Sequence, residues 1–180
     1  MVQLRDKKAS TEELIQTGQA LKAVLAETGV PLIVNDNLEA ALAIGAEGVH
    51  IGQEDLPVAQ ARTLIGEQMI LGLSIETTAA AQAVDARLVD YLGVGPVFAT
   101  TTKPDHKRPI GLTGLQELIA LSTLPAVAIG GLKAEHVAAV IQAGAQGLAV
   151  VSAICGQANP ALAANQLAQS IARAKAKTQI

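Results

Sequence analysis

Gly48-Val49-His50-Ile51-Gly52-Gln53-Glu54-Asp55-Leu56-Pro57 is the stretch whose reading decides the fold. Val49–Ile51 is short and rich in β-branched residues, so it reads as a buried strand. Gly52 to Asp55 is polar, so the strand ends there. Pro57 suits the first turn of a helix. Strand, polar loop, helix: the same order recurs along the chain. Val2–Leu4 runs into Arg5, Asp6 and Lys7. Leu32–Val34 runs into Asn35-Asp36. Tyr91–Val94 runs into a loop carrying Thr100-Thr101-Thr102-Lys103. Ala126–Ile129 runs into Gly130-Gly131, and Leu148–Val151 into Ser152. Strands alternating with helices pair in parallel, which brings every strand's carboxyl end to one face. In a β/α barrel that face carries the chemistry.

Working outward, the periodicity gives about seven strand–helix units in one domain over residues 1–180. Strand Val2–Leu4 precedes a helix over Thr11–Glu27 with Ser10 as N-cap. Pro31–Val34 precedes Leu38–Ile44, closed by Gly45. Val49–Ile51 precedes a helix opening near Pro57, and Met69–Leu73 precedes Thr77–Arg87. Tyr91–Val94 precedes a long loop, Gly95–Gly111, and a helix over Thr113–Leu121. Ala126–Ile129 precedes Ala134–Ala143, and Leu148–Val151 precedes a helix over Pro160–Ala176. The fold class is α/β, a TIM (β/α)8-type barrel. Seven units are one short of a closed barrel of eight strands, so the expectation is a barrel lacking its first strand and helix.

Composition narrows the function. Half of the residues are hydrophobic, yet the chain has one Tyr, one Phe and no Trp, so the core is aliphatic. A net charge of −3 argues against a generally basic nucleic-acid surface. A single cysteine, Cys155, cannot form an intrachain disulfide, and no Cys/His cluster suggests zinc. No apolar run reaches the ~18 residues of a membrane helix, and the start has no signal-peptide core. A cytoplasmic protein acting on small molecules is expected, with no nucleic-acid or membrane partner and a homo-oligomer left open.

Asp36 and Asp55 follow consecutive strands, and adjacent strands lie ~4.8 Å apart. Their carboxylates are therefore candidates to share one hard cation, Mg2+ by donor type. The competing reading has Asp36 or Asn37 capping the next helix and Asp55 holding a turn. Arg5 and Lys7 alternate on a strand and can face one way, a fork and a point charge for phosphate. Lys103 is a third candidate cation. Lys8, His106, Lys107 and Arg108 read as surface charge. Thr100 and Thr102 offer hydroxyls in a loop whose amides suit an anion. Gly130-Gly131 and Val151-Ser152 follow the last two strands, the usual phosphate position in such barrels. Ser74 ends its strand on the same face. His50 reads as structural, His136 as a mid-helix surface residue, and Cys155 as packing.

These motifs in order resemble the thiamine phosphate synthase family over nearly the whole chain. The likeness rests on Gln3-Leu4-Arg5-Asp6-Lys7, Val34-Asn35-Asp36, Gly48 to Asp55, Gly95-Pro96-Val97-Phe98-Ala99-Thr100-Thr101-Thr102-Lys103, Ala128-Ile129-Gly130-Gly131 and Val150 to Ile154. The resemblance implies a β/α barrel that joins a hydroxymethylpyrimidine diphosphate to a thiazole phosphate, or to its carboxylated form, with Mg2+ as cofactor. It implies Asp36 and Asp55 as magnesium ligands. It assigns Gln3, Leu4, Arg5, Asp6, Lys7, Asn35, Ser74 and Lys103 to the pyrimidine diphosphate, with Arg5, Lys7, Ser74 and Lys103 catalytic. It assigns Thr100, Thr101, Thr102, Gly131, Val151 and Ser152 to the thiazole phosphate. Ile75-Glu76 stands where the family usually has Thr-His.

Three other readings compete. A thiazole tautomerase of the same superfamily would have no use for Arg5, Lys7, Asp36 and Asp55 together. A Schiff-base aldolase would use Lys103 as nucleophile and be trapped by borohydride. A truncated, inactive phosphate-binding barrel would bind but not turn over.

Overall fold

The computed structural model describes residues 1–100 and 107–178. By contact they form two compact units. The first comprises Met1–Ser74 with Asp85–Asp90, and the second Ile75–Val84 with the described residues from Tyr91 onward.

In the first unit, β1 (Val2–Leu4), α1 (Thr11–Leu25), β2 (Leu32–Asn35), α2 (Leu38–Ile44), β3 (Gly48–Ile51), α3 (Val58–Ile65) and β4 (Ile70–Ile75) alternate. The strands pair in parallel, each with the next: Leu4 opposite Val34, Asn35 opposite His50, His50 opposite Gly72. Leu32, Ile33, Val34, Val49, Ile51 and Leu71 are fully buried. Burial of consecutive residues means both faces of these strands are covered, as a parallel sheet requires. Helix faces close the core with Leu14, Ala40, Ala41, Ile44, Ala61 and Ile65. Gly48 has no substitute, because a Cβ there would strike the Ile70 carbonyl oxygen.

Local chemistry explains the helix ends. Ser10 caps α1 in a reciprocal box: its hydroxyl accepts from the Glu13 amide, and the Glu13 carboxylate accepts from the Ser10 amide at 2.8 Å. Gly45 ends α2 at φ 66°, the left-handed conformation glycine adopts without strain.

The second unit holds α4 (Thr78–Gln82), β5 (Tyr91–Val94), α5 (Gly111–Ala120), β6 (Ala126–Ile129), a 3-10 turn (Ala134–His136), α6 (Val137–Gln142), β7 (Gly147–Ala149) and α7 (Pro160–Thr178). β5, β6 and β7 pair in parallel in that order. Val137, Ile141 and Leu167 form a buried cluster, with Leu148, Val150, Ala153, Ile154 and Ile171 packed on it.

Several expected elements differ in extent, three of them with an evident cause or consequence. The helix expected over Thr77–Arg87 stops at Gln82. Beyond it Asp85 accepts from the amide and guanidinium of Arg87, a local turn that competes with helix. The helix expected from Ala134 opens with a 3-10 turn and becomes α-helical at Val137. The last strand ends at Ala149, because Val151 already accepts turn hydrogen bonds from the amides of Ile154 and Cys155. That turn also corrects the reading of Cys155: Ala153 and Ile154 face the core, and Cys155 is exposed. Among the described residues no helix is long and apolar enough to cross a membrane.

Candidate functional site

In the first unit the ends of β1, β2 and β3 bring three charges together. Lys7 Nζ lies 2.9 Å from Asp36 Oδ2, with both side chains partly exposed. The hydrogen bond to Asp36 holds the Lys7 ammonium above the usual lysine value; burial works against it, Asp55 adds to the rise and Arg5 subtracts from it. Asp55 is pushed up from the ordinary aspartate range, first by burial and further by the Asp36 carboxylate, while the Gly52 amide and Lys7 pull it back. Asp36 is thus close enough to disfavour the ionised form of Asp55, and the Lys7 ammonium acts on Asp55 as well as pairing with Asp36.

The backbone explains why Asp36 is free to do this. It sits at φ 63°, where non-glycine residues are uncommon. Its amide donates to the His50 carbonyl at 2.9 Å, which pins that conformation. Helix capping falls to the next residue: Asn37 accepts from the Ala40 amide at 2.8 Å and donates to Thr11 Oγ1 at 3.0 Å. The capping alternative for Asp36 is excluded. Asp55 does hold its turn, since Oδ2 accepts from the Gly52 amide at 2.7 Å, and it faces Asp36 as well.

Other sequence candidates fall around this cluster with different parts to play. Arg5 and Gln3 are exposed, whereas Leu4 is buried, so only its backbone is available to a ligand. Asp6 Oδ1 accepts from the Lys8 amide in a tight turn. Asp6, Lys7, Ala9, Leu14, Asn35, Asp36 and Asn37 line a cavity of about 220 Å³. A larger hollow of about 400 Å³, lined by Asp6, Lys8, Ala9, Glu13, Gln16 and Thr17, lacks the Lys7–Asp36 pair.

Ser74 is held at two points. Its carbonyl accepts from Gln53 Nε2 at 2.7 Å, and its hydroxyl lies 2.8 Å from His50 Nε2. His50 is buried, and burial lowers its imidazole to about 4, with Asp55 pulling slightly upward, so the ring is neutral at pH 7.

In the second unit the Gly130-Gly131 turn supports the segment after β5. Both glycines have positive φ, 88° and 65°. A Cβ on Gly131 would strike the Ala99 carbonyl oxygen. The Val97 and Phe98 amides donate to the Ile129 and Gly130 carbonyls at 2.8 and 3.1 Å. The Phe98 ring lies 4.3 Å from the His136 ring, so His136 is a packing partner rather than the surface residue expected. Thr100 is half-buried; Thr101, Thr102 and Lys103 lie outside the described residues. Val151 and Ser152 are exposed on the turn after β7, where the Ser152 carbonyl accepts from Gln157 Nε2 at 2.9 Å. Glu76 lies 3.8 Å from Lys107, so the charge that departs from the usual pattern faces a cation.

Sequence reasoning missed the His50–Ser74 contact and the left-handed Asp36. A signal for the first existed: His50 is a polar residue among aliphatics in a strand. The second had only the Asn-Asp-Asn run, whose residues tolerate positive φ.

Residues 1–154 match the family model described as thiamine monophosphate synthase. The chain is 46% identical over 176 residues to the thiamine-phosphate synthase of Moorella thermoacetica, covering 98% of this chain and 84% of that protein. It is 47% identical over 170 residues to the thiamine-phosphate synthase of Albidiferax ferrireducens, covering 94% and 78%. Its fold is similar to that of thiamine phosphate pyrophosphorylase from Pyrococcus furiosus, with a TM-score of 0.86 at 33% identity over 96% of this chain and 82% of that one.

Proposed function

The chain belongs to the thiamine monophosphate synthase family and is a transferase, and we propose that it condenses a hydroxymethylpyrimidine diphosphate with a thiazole phosphate, giving thiamine phosphate and pyrophosphate. One observation carries the substrate assignment. Lys7, Asp36 and Asp55 meet at the ends of three strands, with Arg5 close enough to perturb Lys7. A diphosphate leaving group needs this mixture of cations and cation-binding carboxylates.

The donor set fits magnesium. The Asp36 carboxylate disfavours the ionised form of Asp55, a conflict that a shared cation relieves, and Mg2+ takes one or two carboxylates while keeping places for water and phosphate oxygens. Asp36 and Asp55 would hold it, and it would supply charge neutralisation for the diphosphate.

The chain's own residues account for the rest. Arg5 and Lys7 bind diphosphate oxygens, and Asn35 and Lys103 add to that grip. The bond between the pyrimidine methylene and the diphosphate oxygen breaks, and its electron pair leaves with pyrophosphate. The amino-substituted ring stabilises the cation that remains. The thiazole nitrogen lone pair then forms the new C–N bond, so no side chain has to abstract a proton. With the carboxylated thiazole, carbon dioxide is lost as well. Ser74 orients the pyrimidine. Thr100, Thr101, Thr102, Gly131, Val151 and Ser152 take the thiazole phosphate, holding the nitrogen in line. Charge stabilisation on the leaving group, rather than base catalysis, lowers the barrier.

The test mixes both phosphorylated substrates with Mg2+ and measures pyrophosphate and thiamine phosphate. Equal amounts of the two products are expected. Pyrophosphate without thiamine phosphate, or neither product from folded protein, overturns the assignment. Isomerisation of a thiazole carboxylate phosphate without magnesium would instead support the tautomerase.

A further inference from the structure

His50 is the one buried polar or charged residue among the described residues, at 6% exposure. It occupies the middle of β3, between the fully buried Val49 and Ile51. An aliphatic side chain would pack there without the cost of desolvating an imidazole. The position of the ring shows what that cost supports. His50 pairs in register with Gly72, so Ser74, two residues on, projects from the same face of the sheet. Gly72 puts no side chain beside the ring. Nε2 reaches the Ser74 hydroxyl at 2.8 Å. The carbonyl of the same histidine accepts from the Asp36 amide at 2.9 Å, just past the end of the neighbouring strand β2.

We propose that His50 is a positioning residue that ties the ends of three strands to one geometry: its imidazole fixes the rotamer of the Ser74 hydroxyl on β4, and its carbonyl holds the left-handed Asp36 after β2. The inference rests on the proposed function in one respect, that Ser74 orients the pyrimidine substrate. A serine hydroxyl turns freely on its Cα–Cβ bond, and a site that binds a small ring needs it stopped in one well. Gln53 fixes the Ser74 backbone from the other side, at 2.7 Å. The hydroxyl is then the only part of Ser74 left to position, and His50 does it. An imidazole at this depth also resists rearrangement, since turning away would take the Ser74 hydroxyl from a buried ring nitrogen.

The experiment is a double-mutant cycle of His50→Leu and His50→Gln against Ser74→Ala, read by steady-state kinetics and by the 15N shifts of the His50 ring. His50→Leu is expected to raise KM or lower kcat for the pyrimidine diphosphate by about tenfold, and to leave KM for the thiazole phosphate within about twofold. His50→Gln, whose amide reaches toward the place of Nε2, recovers most of the loss. In the Ser74→Ala background both His50 variants cost little more. Additive losses, equal effects on the two substrates, or unchanged pyrimidine kinetics in folded His50→Leu overturn the proposal. If His50→Leu does not fold, the His50→Gln arm of the cycle decides by the same criterion. The ring shifts separate this inference from the functional reading. If wild-type protein makes no thiamine phosphate but Ser74→Ala moves the His50 ring nitrogens, the activity assignment has failed and the positioning contact stands. If the ring nitrogens are unmoved by Ser74→Ala, the contact itself has failed.

Discussion

The two ends of the first unit's sheet are built from the same ingredients and do opposite work. Each end pairs carboxylates with cations. At the amino ends of the strands, Glu47 accepts from the Leu32 amide at 2.8 Å and from the Lys22 ammonium. Asp90 Oδ2 accepts from the Leu71 amide and from Arg62, each at 2.7 Å. Arg62 further donates to the carbonyls of Leu88, Gly66 and Met69 at 2.9, 2.8 and 2.7 Å. Every one of these charges closes a strand or a turn. At the carboxyl ends, Lys7, Asp36 and Asp55 close little beyond the Gly52 turn, and the Asp36 carboxylate works against the ionised form of Asp55. A charge cluster that is saturated stabilises the fold. One that is left in mutual conflict gains by taking up a ligand.

That contrast is open to direct attack, starting with its strongest consequence. Replacing Asp36 or Asp55 by Asn is expected to lower magnesium-dependent kcat/KM by about 10²–10³-fold, the usual loss when a charge-stabilising group is removed, with the melting temperature moving by only a few degrees. Asn is the informative choice at position 36 because it accepts the φ of 63°. Ordinary magnesium dependence in either variant would remove the metal assignment. At the other end, Arg62→Ala is expected to cost about 1–3 kcal/mol of stability by denaturant titration, since it takes the guanidinium donor from the partly buried carbonyls of Leu88 and Met69, while kcat/KM per folded molecule stays within about twofold. A large kinetic loss with unchanged stability would erase the division between the two ends.

Smaller effects sharpen it. Ser152→Ala, on the exposed turn after β7, is expected to raise KM for the thiazole phosphate by about tenfold and to leave the pyrimidine diphosphate alone. Equal changes for both substrates would deny that turn its separate role. The smallest effect concerns Glu47. Burial alone would raise its carboxyl, but hydrogen bonds from Lys22 and the Leu32 amide outweigh it and hold the group below its usual 4.5. The folded chain therefore binds fewer protons than the unfolded chain as pH falls below that value. Its contribution is full above about 4.5 and disappears as pH drops through the folded value. Glu47→Gln should flatten the acid side of the stability–pH curve; an unchanged slope would mean that Glu47 plays no part in it.

Much of this was legible without coordinates, because the signals are local. Val2–Leu4, Leu38–Ile44, Tyr91–Val94 and Ala126–Ile129 appear with the bounds that hydrophobic runs and glycine or proline stops give them. The meeting of Asp36 with Asp55 follows from consecutive parallel strands, a topological rule rather than a contact. Where the reading failed, a competing interaction came from elsewhere. The Asp85–Arg87 turn shortened a helix of good helix formers. Phe98 claimed His136. The early end of β7 turned Cys155 out of the core.

By itself, the sequence determined the alternation of strands and helices and the type of residue at each strand end, since both depend on neighbours along the chain. Only the tertiary structure decided which of those residues are held and which are left available. Asn37 takes the cap and so releases Asp36; His50, read along the chain as structural, stands beside Ser74. Such outcomes depend on which donors and acceptors lie within about 3 Å of each other across strands, a distance that spacing along the chain does not encode.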